Sequence, residues 1–279
     1  MKRILYSITS IAFRGHSLAQ TTFPTCGSCW CVPDDNGLDP CPSNEPQSTF
    51  DNATIDGFSE KLPQSIYALD CNPYENSTCE TTPPQEYLDL GDTAVCAFVY
   101  EPGNNCSQYS MRSFSSQEAF EADSASSNGV ITHVGSCGLC STAQDLSVYL
   151  REDFTTAGKY CATVGLHNST AGQMCYEALG LTPNCAKIWN YDGIYDGQQC
   201  LGVCLSNLVA PNNGPPPACA LNPCLECDEV EAGPNFSTIG GRTRRRSGLL
   251  SEIIRNCSSI ATGIVHDPSL NCPESSPSK

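Results

Sequence analysis

The sequence predicts a mainly α-helical fold with minor β structure, in which disulfides cross-link short helices behind a loop-rich N-terminal region. Twenty of the 279 residues are cysteine, an even number that allows complete pairing. Residues 20–92 are rich in Pro, Asn, Asp, Ser and Thr, which favour turns. Later segments carry capping signals ahead of short apolar-periodic stretches, which are typical of helices.

We interpret every cysteine as a disulfide candidate, because so small an apolar core needs cross-links that restrict the unfolded chain. The candidates are Cys26, Cys29, Cys31, Cys41, Cys71, Cys79, Cys96, Cys106, Cys137, Cys140, Cys161, Cys175, Cys185, Cys200, Cys204, Cys219, Cys224, Cys227, Cys257 and Cys272.

The first 19 residues have the pattern of a secretory signal peptide. Lys2 and Arg3 precede the apolar stretch 4–13, and Ser17-Leu18-Ala19 fits a cleavage site after Ala19. Residues 14–16 interrupt this pattern with Arg, Gly and His. Elsewhere no apolar run is long enough for a membrane span. The sequence therefore predicts a secreted protein, or one in the lumen of the secretory pathway.

Six N-x-S/T sequons support the same location, since this motif accepts N-linked glycans in exported proteins. Cysteine occupies the middle position in two of them, where early pairing would hinder glycan transfer. The candidates are Asn52, Asn76, Asn105, Asn168, Asn235 and Asn256, of which Asn105 and Asn256 precede a cysteine.

The formal charge is −16, and this acidity excludes some partners. An acidic chain repels phosphate backbones and anionic lipid surfaces, so nucleic acid is not an expected partner. We expect no cofactor and no bound metal. The expected partner is an extracellular ligand or protein of unknown identity.

The composition divides the chain into four segments. Residues 1–19 form the signal peptide and 20–92 the loop-rich, disulfide-linked region. A mainly helical, cysteine-rich domain follows over 93–267, and a flexible tail over 268–279, tethered at Cys272.

Apolar runs and capping signals place the secondary structure. Strands are expected at Thr93–Tyr100 and Val130–Val134. Helices are expected to start at four signals and to include one long apolar-periodic segment near the C-terminus. The signals are Ser115 with Glu118, Ser141 with Gln144, Thr170 with Gln173, and Thr182-Pro183; the final helix spans Leu249–Ala261.

Cys26-Gly27-Ser28-Cys29-Trp30 resembles the nucleophile signature of papain-like cysteine peptidases, with His167 at a suitable distance downstream. The resemblance ends there, because Pro33 and a turn cluster stop the helix that this nucleophile opens. The alternative is a disulfide knot.

The segment His133-x-Gly-x-Cys137-Gly-Leu-Cys140-Ser141 places a C-x-x-C where a strand meets a helix. A redox-active pair has this local setting, because a helix N-terminus stabilises a thiolate. Zinc binding by His133 with both cysteines is a second hypothesis. Structural disulfides are the third, and the number of other cysteines favours them.

Residues 240–248 form an arginine loop, Gly-Gly-Arg-Thr-Arg-Arg-Arg-Ser-Gly. Three hypotheses stay open for it. The loop is solvated and pairs with Asp228 and Glu229, or Arg242, Arg244 and Arg245 bind an anion. Alternatively, a secretory convertase cleaves after Arg245.

Three motifs carry a family resemblance: H-x-G-x-C-G-x-C-S from His133, N-P-C-L-x-C-D-E from Asn222 and G-R-T-R-R-x-S-G-L from Gly241. Together they resemble an uncharacterised family of secreted, cysteine-rich proteins from eukaryotic microbes. The resemblance implies no activity, cofactor or site. It does imply that residues 130–267 form one unit, which would bring the C-x-x-C, His133 and the arginine loop together.

Two classes of function follow. The first is a binding or structural protein whose surface joins His133, Asp145, Asp228, Glu229 and the arginine loop. The second is a secreted enzyme with His133 as acid or base and Asp145 as its orienting carboxylate. The sequence does not decide whether the protein is an enzyme.

Overall fold

The computed structural model describes residues 30–31, 49–207, 209–215 and 218–273. The predicted signal peptide lies outside the described residues, as do Cys26, Cys29 and Cys41. The peptidase-like motif therefore has no structural account.

Within the described residues the chain forms nine α-helices and six strands. The strands are β1 (Trp30–Cys31), β2 (Leu62–Pro63), β3 (Val95–Tyr100), β4 (Gln108–Phe114), β5 (Gly129–Val134) and β6 (Arg255–Asn256). The helices are α1 (Asn52–Ser59), α2 (Gln117–Ala122), α3 (Ala143–Arg151), α4 (Phe154–His167), α5 (Ser169–Ala178), α6 (Pro183–Gln199), α7 (Leu201–Ser206), α8 (Pro223–Glu231) and α9 (Gly233–Ile239). The mainly α fold class with minor β structure is confirmed.

A four-stranded sheet of order β2-β4-β3-β5 forms the main β part of the fold, and β1 pairs antiparallel with β6 in a second, two-stranded sheet. Strand β3 is central and pairs antiparallel with β4 and with β5, where the register shifts between Cys96 and Ala97. Strand β2 adds a short parallel edge to β4. Strand β3 is buried along nearly its whole length, so its continuous apolar sequence reflects contacts on both faces. The strands expected from Thr93 and Val130 are both present.

The helices pack against this sheet around one main core, which joins residues from both sides of position 92. Ile55 and Phe58 of α1 belong to the same cluster as Phe98 of the sheet and Leu146 of α3. Trp189 of α6 anchors its helical side, in contact with four aromatic rings. These rings are Tyr149, Phe154, Tyr176 and Phe236.

Seven disulfides join described residues and cross-link the elements. One ties the sheet to the loop after β5, and a second ties that loop to α6. Others link α4 to α5, the α6–α8 region twice, the β3–β4 loop to the chain end, and a short N-terminal loop to itself. The pairs are Cys71–Cys79, Cys96–Cys137, Cys106–Cys272, Cys140–Cys185, Cys161–Cys175, Cys200–Cys227 and Cys204–Cys224.

The capping signals located the helices to within a few residues. Thr182 caps α6 and Pro183 opens it, as the sequence predicted. The other caps are displaced, because the side chain that reaches the first free amides belongs to a neighbouring residue. They are Ser116, Thr142 and Asn168 in place of Ser115, Ser141 and Thr170.

The predicted helix at Leu249–Ala261 is wrong. This segment is irregular apart from β6 and a 3-10 turn at Cys257–Ser259. Gly248 has a φ of +67°, and Asn213 pairs with both the amide and the carbonyl of Ile254. Leu249, Leu250 and Ile260 are buried, so the apolar positions mark tertiary contacts of an irregular segment.

Close packing of α4, α5 and α6 depends on glycine. A Cβ at Gly172 of α5 would lie 2.2 Å from Asn190 Oδ1 of α6 and 2.4 Å from the Cα of Gly165 of α4. These distances leave no space for a methyl group, and the obstacles include backbone.

We expect Gly172→Ala to lower the free energy of unfolding by about 1–3 kcal/mol, because the helices must separate. Gly202→Ala on α7 is the matched control, since nothing lies within 4 Å of its Cβ position and alanine favours helix. Urea unfolding measures both. A Gly172→Ala protein as stable as Gly202→Ala would contradict the tight packing.

Candidate functional site

Two segments of the sequence motifs lie side by side between the sheet and the helices. We call residues 136–142 and 239–242 together the junction. The amides of Leu139 and Cys140 donate to the carbonyls of Ile239 and Gly240, at 3.1 and 2.9 Å. A Cβ at Gly138 would lie 2.4 Å from the carbonyl oxygen of Ile239, so the backbones approach as only glycine allows. The expected meeting of the C-x-x-C and the arginine loop is thus observed.

The C-x-x-C is a structural element of this junction. Cys137 pairs with Cys96 of β3, and Cys140 pairs with Cys185 of α6. The redox hypothesis is therefore wrong, because the two sulfurs do not share a disulfide. The zinc hypothesis is also wrong, since neither sulfur is available as a thiolate. Among the residues that the structure describes, no group of His, Cys, Asp and Glu has the arrangement of a metal site.

His133 is completely buried on β5, and both ring nitrogens have partners. Nδ1 lies 2.8 Å from the carbonyl oxygen of Val134, which only accepts, so Nδ1 carries the hydrogen. Nε2 therefore accepts from the Ser141 hydroxyl at 2.8 Å. Burial, with a smaller effect of Arg242, holds the pKa of His133 well below its usual range. The ring is neutral.

Ser141 and His133 have the hydrogen bond of a nucleophile and its base. Ser141 Oγ also accepts from the Gly138 amide at 2.8 Å, and it has no exposed surface. A Cβ at Gly241 would lie 2.9 Å from that oxygen, because the 239–242 backbone covers it. A substrate would have to displace this backbone, so the geometry fits internal packing rather than catalysis.

Asp145 does not orient His133. Its carboxylate lies at the start of α3, where it accepts from the Thr142 hydroxyl at 2.6 Å. It also accepts from the amide and hydroxyl of Thr182, at 2.8 and 3.0 Å. Asp145 thus joins the N-termini of α3 and α6, where helix dipoles favour an anion. Burial raises its pKa to about 6.

Arg242 is fully buried at the centre of the junction. Its Nε donates to the carbonyl of Cys140 at 3.1 Å, and its two terminal nitrogens donate to four more oxygens at 3.0–3.4 Å. Those four are the carbonyl and hydroxyl of Thr132, the Ser247 hydroxyl and the Ser141 carbonyl. Burial lowers the arginine pKa to about 10, so it stays charged at neutral pH.

The anion-binding hypothesis for Arg242 is not supported, because its five N–H donors meet five protein acceptors. A buried guanidinium is costly unless every donor is paired, and here protein oxygens supply the pairing. Arg242 therefore fastens the arginine loop to β5 and to the start of α3.

The remaining arginines of the loop also bind protein groups. Arg244 donates to the carbonyls of Tyr149 and Glu152 at the end of α3, at 2.5 and 2.8 Å, a favourable place for a cation. Arg245 pairs with Glu229 at 2.8 Å. Arg246 pairs with Asp92 at 2.7 Å. Arg244 and Arg245 thus have internal partners, and the anion hypothesis has no support there either.

Convertase cleavage after Arg245 also conflicts with this geometry. The backbone of 245–247 forms a 3-10 turn, and both Ser247 at its end and Leu249 beyond it are buried. A protease needs several residues of extended, accessible chain around the scissile bond. The folded loop does not offer them.

Asp228 and Glu229 lie on α8. Glu229 bridges Arg245 and Arg255, at 2.8 and 2.5 Å. Asp228 belongs to what we call the acidic cluster, with Asp192 and Asp196 of α6. Burial and the neighbouring carboxylates raise the pKa of Asp228 well above its usual range. The expected pairing of the arginine loop with Glu229 is therefore observed through Arg245, whereas Asp228 belongs to the acidic cluster.

Sequence reasoning missed the acidic cluster. Asp192 and Asp196 are four residues apart on α6, a spacing that places them on one helix face. That signal was present, but only the tertiary structure brings Asp228 beside them.

The comparisons with known proteins add one partial match. The model of a protein family of unknown function (DUF8771) matches residues 169–263. The matched region runs from α5 through the arginine loop and includes the N-P-C-L-x-C-D-E motif, but not His133 or the C-x-x-C. Neither the comparison with curated proteins nor that with solved structures found a match.

We expect Arg242→Lys to destabilise the fold by about 3 kcal/mol or more, because an ammonium cannot reach all five acceptors and leaves buried ones unpaired. Arg245→Lys is the matched control in the same loop. Its side chain is 36% exposed, so we expect a change within about 1 kcal/mol. Denaturant unfolding monitored by tryptophan fluorescence compares them. Equal, small losses of unfolding free energy in the two variants would show that the hydrogen bonds of Arg242 do not hold the junction together.

Proposed function

We propose that this protein is a secreted, N-glycosylated and disulfide-stabilised module that acts by binding or by a structural role. One observation carries the proposal. The His133 ring and the Arg242 guanidinium, which suggested chemistry, are hydrogen-bonded to protein groups inside the molecule, and Cys96–Cys137 and Cys140–Cys185 cross-link the sheet, the junction and α6. An extensively cross-linked fold is consistent with an oxidising, extracellular setting. Its partner is an extracellular ligand or protein.

The sequons support the glycan part of this proposal. Five of their asparagines are exposed, and Asn256 is half-buried. Asn76 and Asn168 accept backbone hydrogen bonds through Oδ1. Glycans attach to the side-chain nitrogen, so these capping bonds and a glycan are compatible.

No helix in the described parts of the chain is long and apolar enough to cross a membrane. Secretion instead rests on the signal-like residues 1–19 and on the disulfides. The resemblance to a secreted family of eukaryotic microbes supports the same proposal.

We expect full-length protein expressed in a secreting eukaryotic cell to enter the medium without residues 1–19. Glycans should occupy Asn52, Asn76, Asn168 and Asn235, with lower occupancy at Asn105 and Asn256. Intact mass spectrometry with and without reduction and glycosidase treatment measures all of these. The chain should also be uncut after Arg245, because the loop is folded.

A variant without residues 2–19 is the matched control and should stay in the cell. Full-length protein that remained intracellular, with reduced thiols and no glycan, would refute the proposed function. A chain cut after Arg245 would instead favour a processed precursor.

A further inference from the structure

Tyr74 links a disulfide-closed loop to two helices through one hydroxyl group. It lies in the loop closed by Cys71–Cys79. Its Oη is 2.7 Å from Asp192 Oδ1 of α6 and 3.1 Å from the carbonyl oxygen of Ala232, between α8 and α9. Its ring stacks on Tyr195, with centroids 4.8 Å apart. Asp192 is buried.

The number of hydrogens along this chain of three oxygens shows what protonation of Asp192 changes. Two O···O hydrogen bonds need two hydrogens, and the Tyr74 hydroxyl carries one. The Ala232 carbonyl carries none and only accepts. A protonated Asp192 supplies the second hydrogen, because its carboxyl O–H donates to Tyr74 while Tyr74 donates to Ala232. With Asp192 ionised, the one hydrogen of Tyr74 goes to Asp192 Oδ1, and this bond lowers the pKa of the carboxyl.

We propose that Asp192, Tyr74 and Ala232 form a proton-dependent latch that holds the Cys71–Cys79 loop against the helices when the Asp192 carboxyl is protonated. When Asp192 loses its proton, the Tyr74 hydroxyl turns to the new carboxylate. The Ala232 carbonyl then loses the hydroxyl partner. The loop is held at one point instead of two.

The surroundings favour the protonated form. Asp196 on α6 and Asp228 and Glu229 on α8 face Asp192, and Tyr176 of α5 adds a neutral phenol nearby. The cations of this region, Arg245 and Arg255, are paired with Glu229. Burial, together with Asp196 and Glu229, raises the pKa of Asp192 to about 7. Deprotonation would place another charge among carboxylates.

The sign of the pH dependence follows from this shift. The folded-state pKa of Asp192 lies above its ordinary value of 3.8. The protonated Asp192 carboxyl therefore makes its full contribution to the free energy of unfolding below pH 3.8. This contribution is lost as the pH rises to about 7. His133 and His266 act in the opposite direction, because burial lowers the pKa of both. A variant of Asp192 isolates the latch from these histidines.

Asp192→Asn is the decisive variant, because the amide donates to Tyr74 at every pH and carries no charge. We expect its melting temperature, relative to wild type, to rise between pH 4 and 7 and then to level off. Asp196→Asn is the matched control on the same helix face. Burial raises the pKa of Asp196 to about 6. The rise in melting temperature of Asp196→Asn relative to wild type should therefore level off at a lower pH than that of Asp192→Asn.

Hydrogen exchange reports the loop directly, with all disulfides intact. At pH 8, amides of residues 71–79 should exchange several-fold faster in wild type than in Asp192→Asn, and at pH 5.5 equally fast. The Cys161–Cys175 loop is the internal control and should not differ. Equal exchange of residues 71–79 in both proteins at both pH values would overturn the latch.

Infrared difference spectra provide a measurement of the carboxyl itself. At pH 6, wild type minus Asp192→Asn should show the carbonyl band of a protonated carboxylic acid. A carboxylate band in its place would mean that Asp192 is ionised, and would overturn the proposal. Should Asp192→Asn fail to fold, wild-type protein alone suffices. Its protection over residues 71–79 should fall between pH 6 and 8 relative to the control loop, and constant protection would refute the latch.

Discussion

The fold depends on how the guanidinium of Arg242 is paired. A cation buried this completely costs several kcal/mol unless protein oxygens replace its water. Here the carbonyls of Thr132, Cys140 and Ser141 do so, with two hydroxyls. Those carbonyls belong to β5 and to the turn before α3. The arginine therefore fixes a place where the sheet, the start of α3 and the arginine loop meet.

The disulfides act at the same place through a different physical effect. Cys96–Cys137 and Cys140–Cys185 close segments with sequence separations of 41 and 45 residues. Cross-links of this length lower the entropy of the unfolded chain, by about 4 kcal/mol each in the loop-closure model. Cys137 faces the sheet and Cys140 faces α6, so the C-x-x-C joins two layers. The glycines of the junction let the two backbones lie close enough for Arg242 to reach both.

This arrangement explains why a motif that suggests chemistry has a structural role. A redox pair or a catalytic histidine needs an exposed atom with an unused donor or acceptor. His133 and Ser141 have no exposed surface, and each satisfies the other. Asp145 is likewise occupied at two helix N-termini. A binding function would therefore use the outer surface, held in shape by the cross-linked interior.

Composition and local signals predicted the fold class, the central strand and the cap at Thr182, because each depends on residues near in sequence. The Leu249–Ala261 segment could not be predicted in this way. Its apolar spacing matches a helix, but its backbone pairs with side chains outside the segment. The Ile254 amide donates to Asn213, and the Leu250 carbonyl accepts from Arg244. The sequence left three hypotheses open for the arginine loop for a similar reason. Only the tertiary structure shows that its acceptors are backbone carbonyls, which carry no signature in a sequence.

The pairing of the C-x-x-C cysteines tests the central claim most directly. Peptide mapping of the unreduced protein identifies each cross-linked pair by mass. If the junction joins sheet and helices as described, Cys137 will be linked to Cys96 and Cys140 to Cys185. A disulfide between Cys137 and Cys140 themselves would contradict this account of what holds the two layers together.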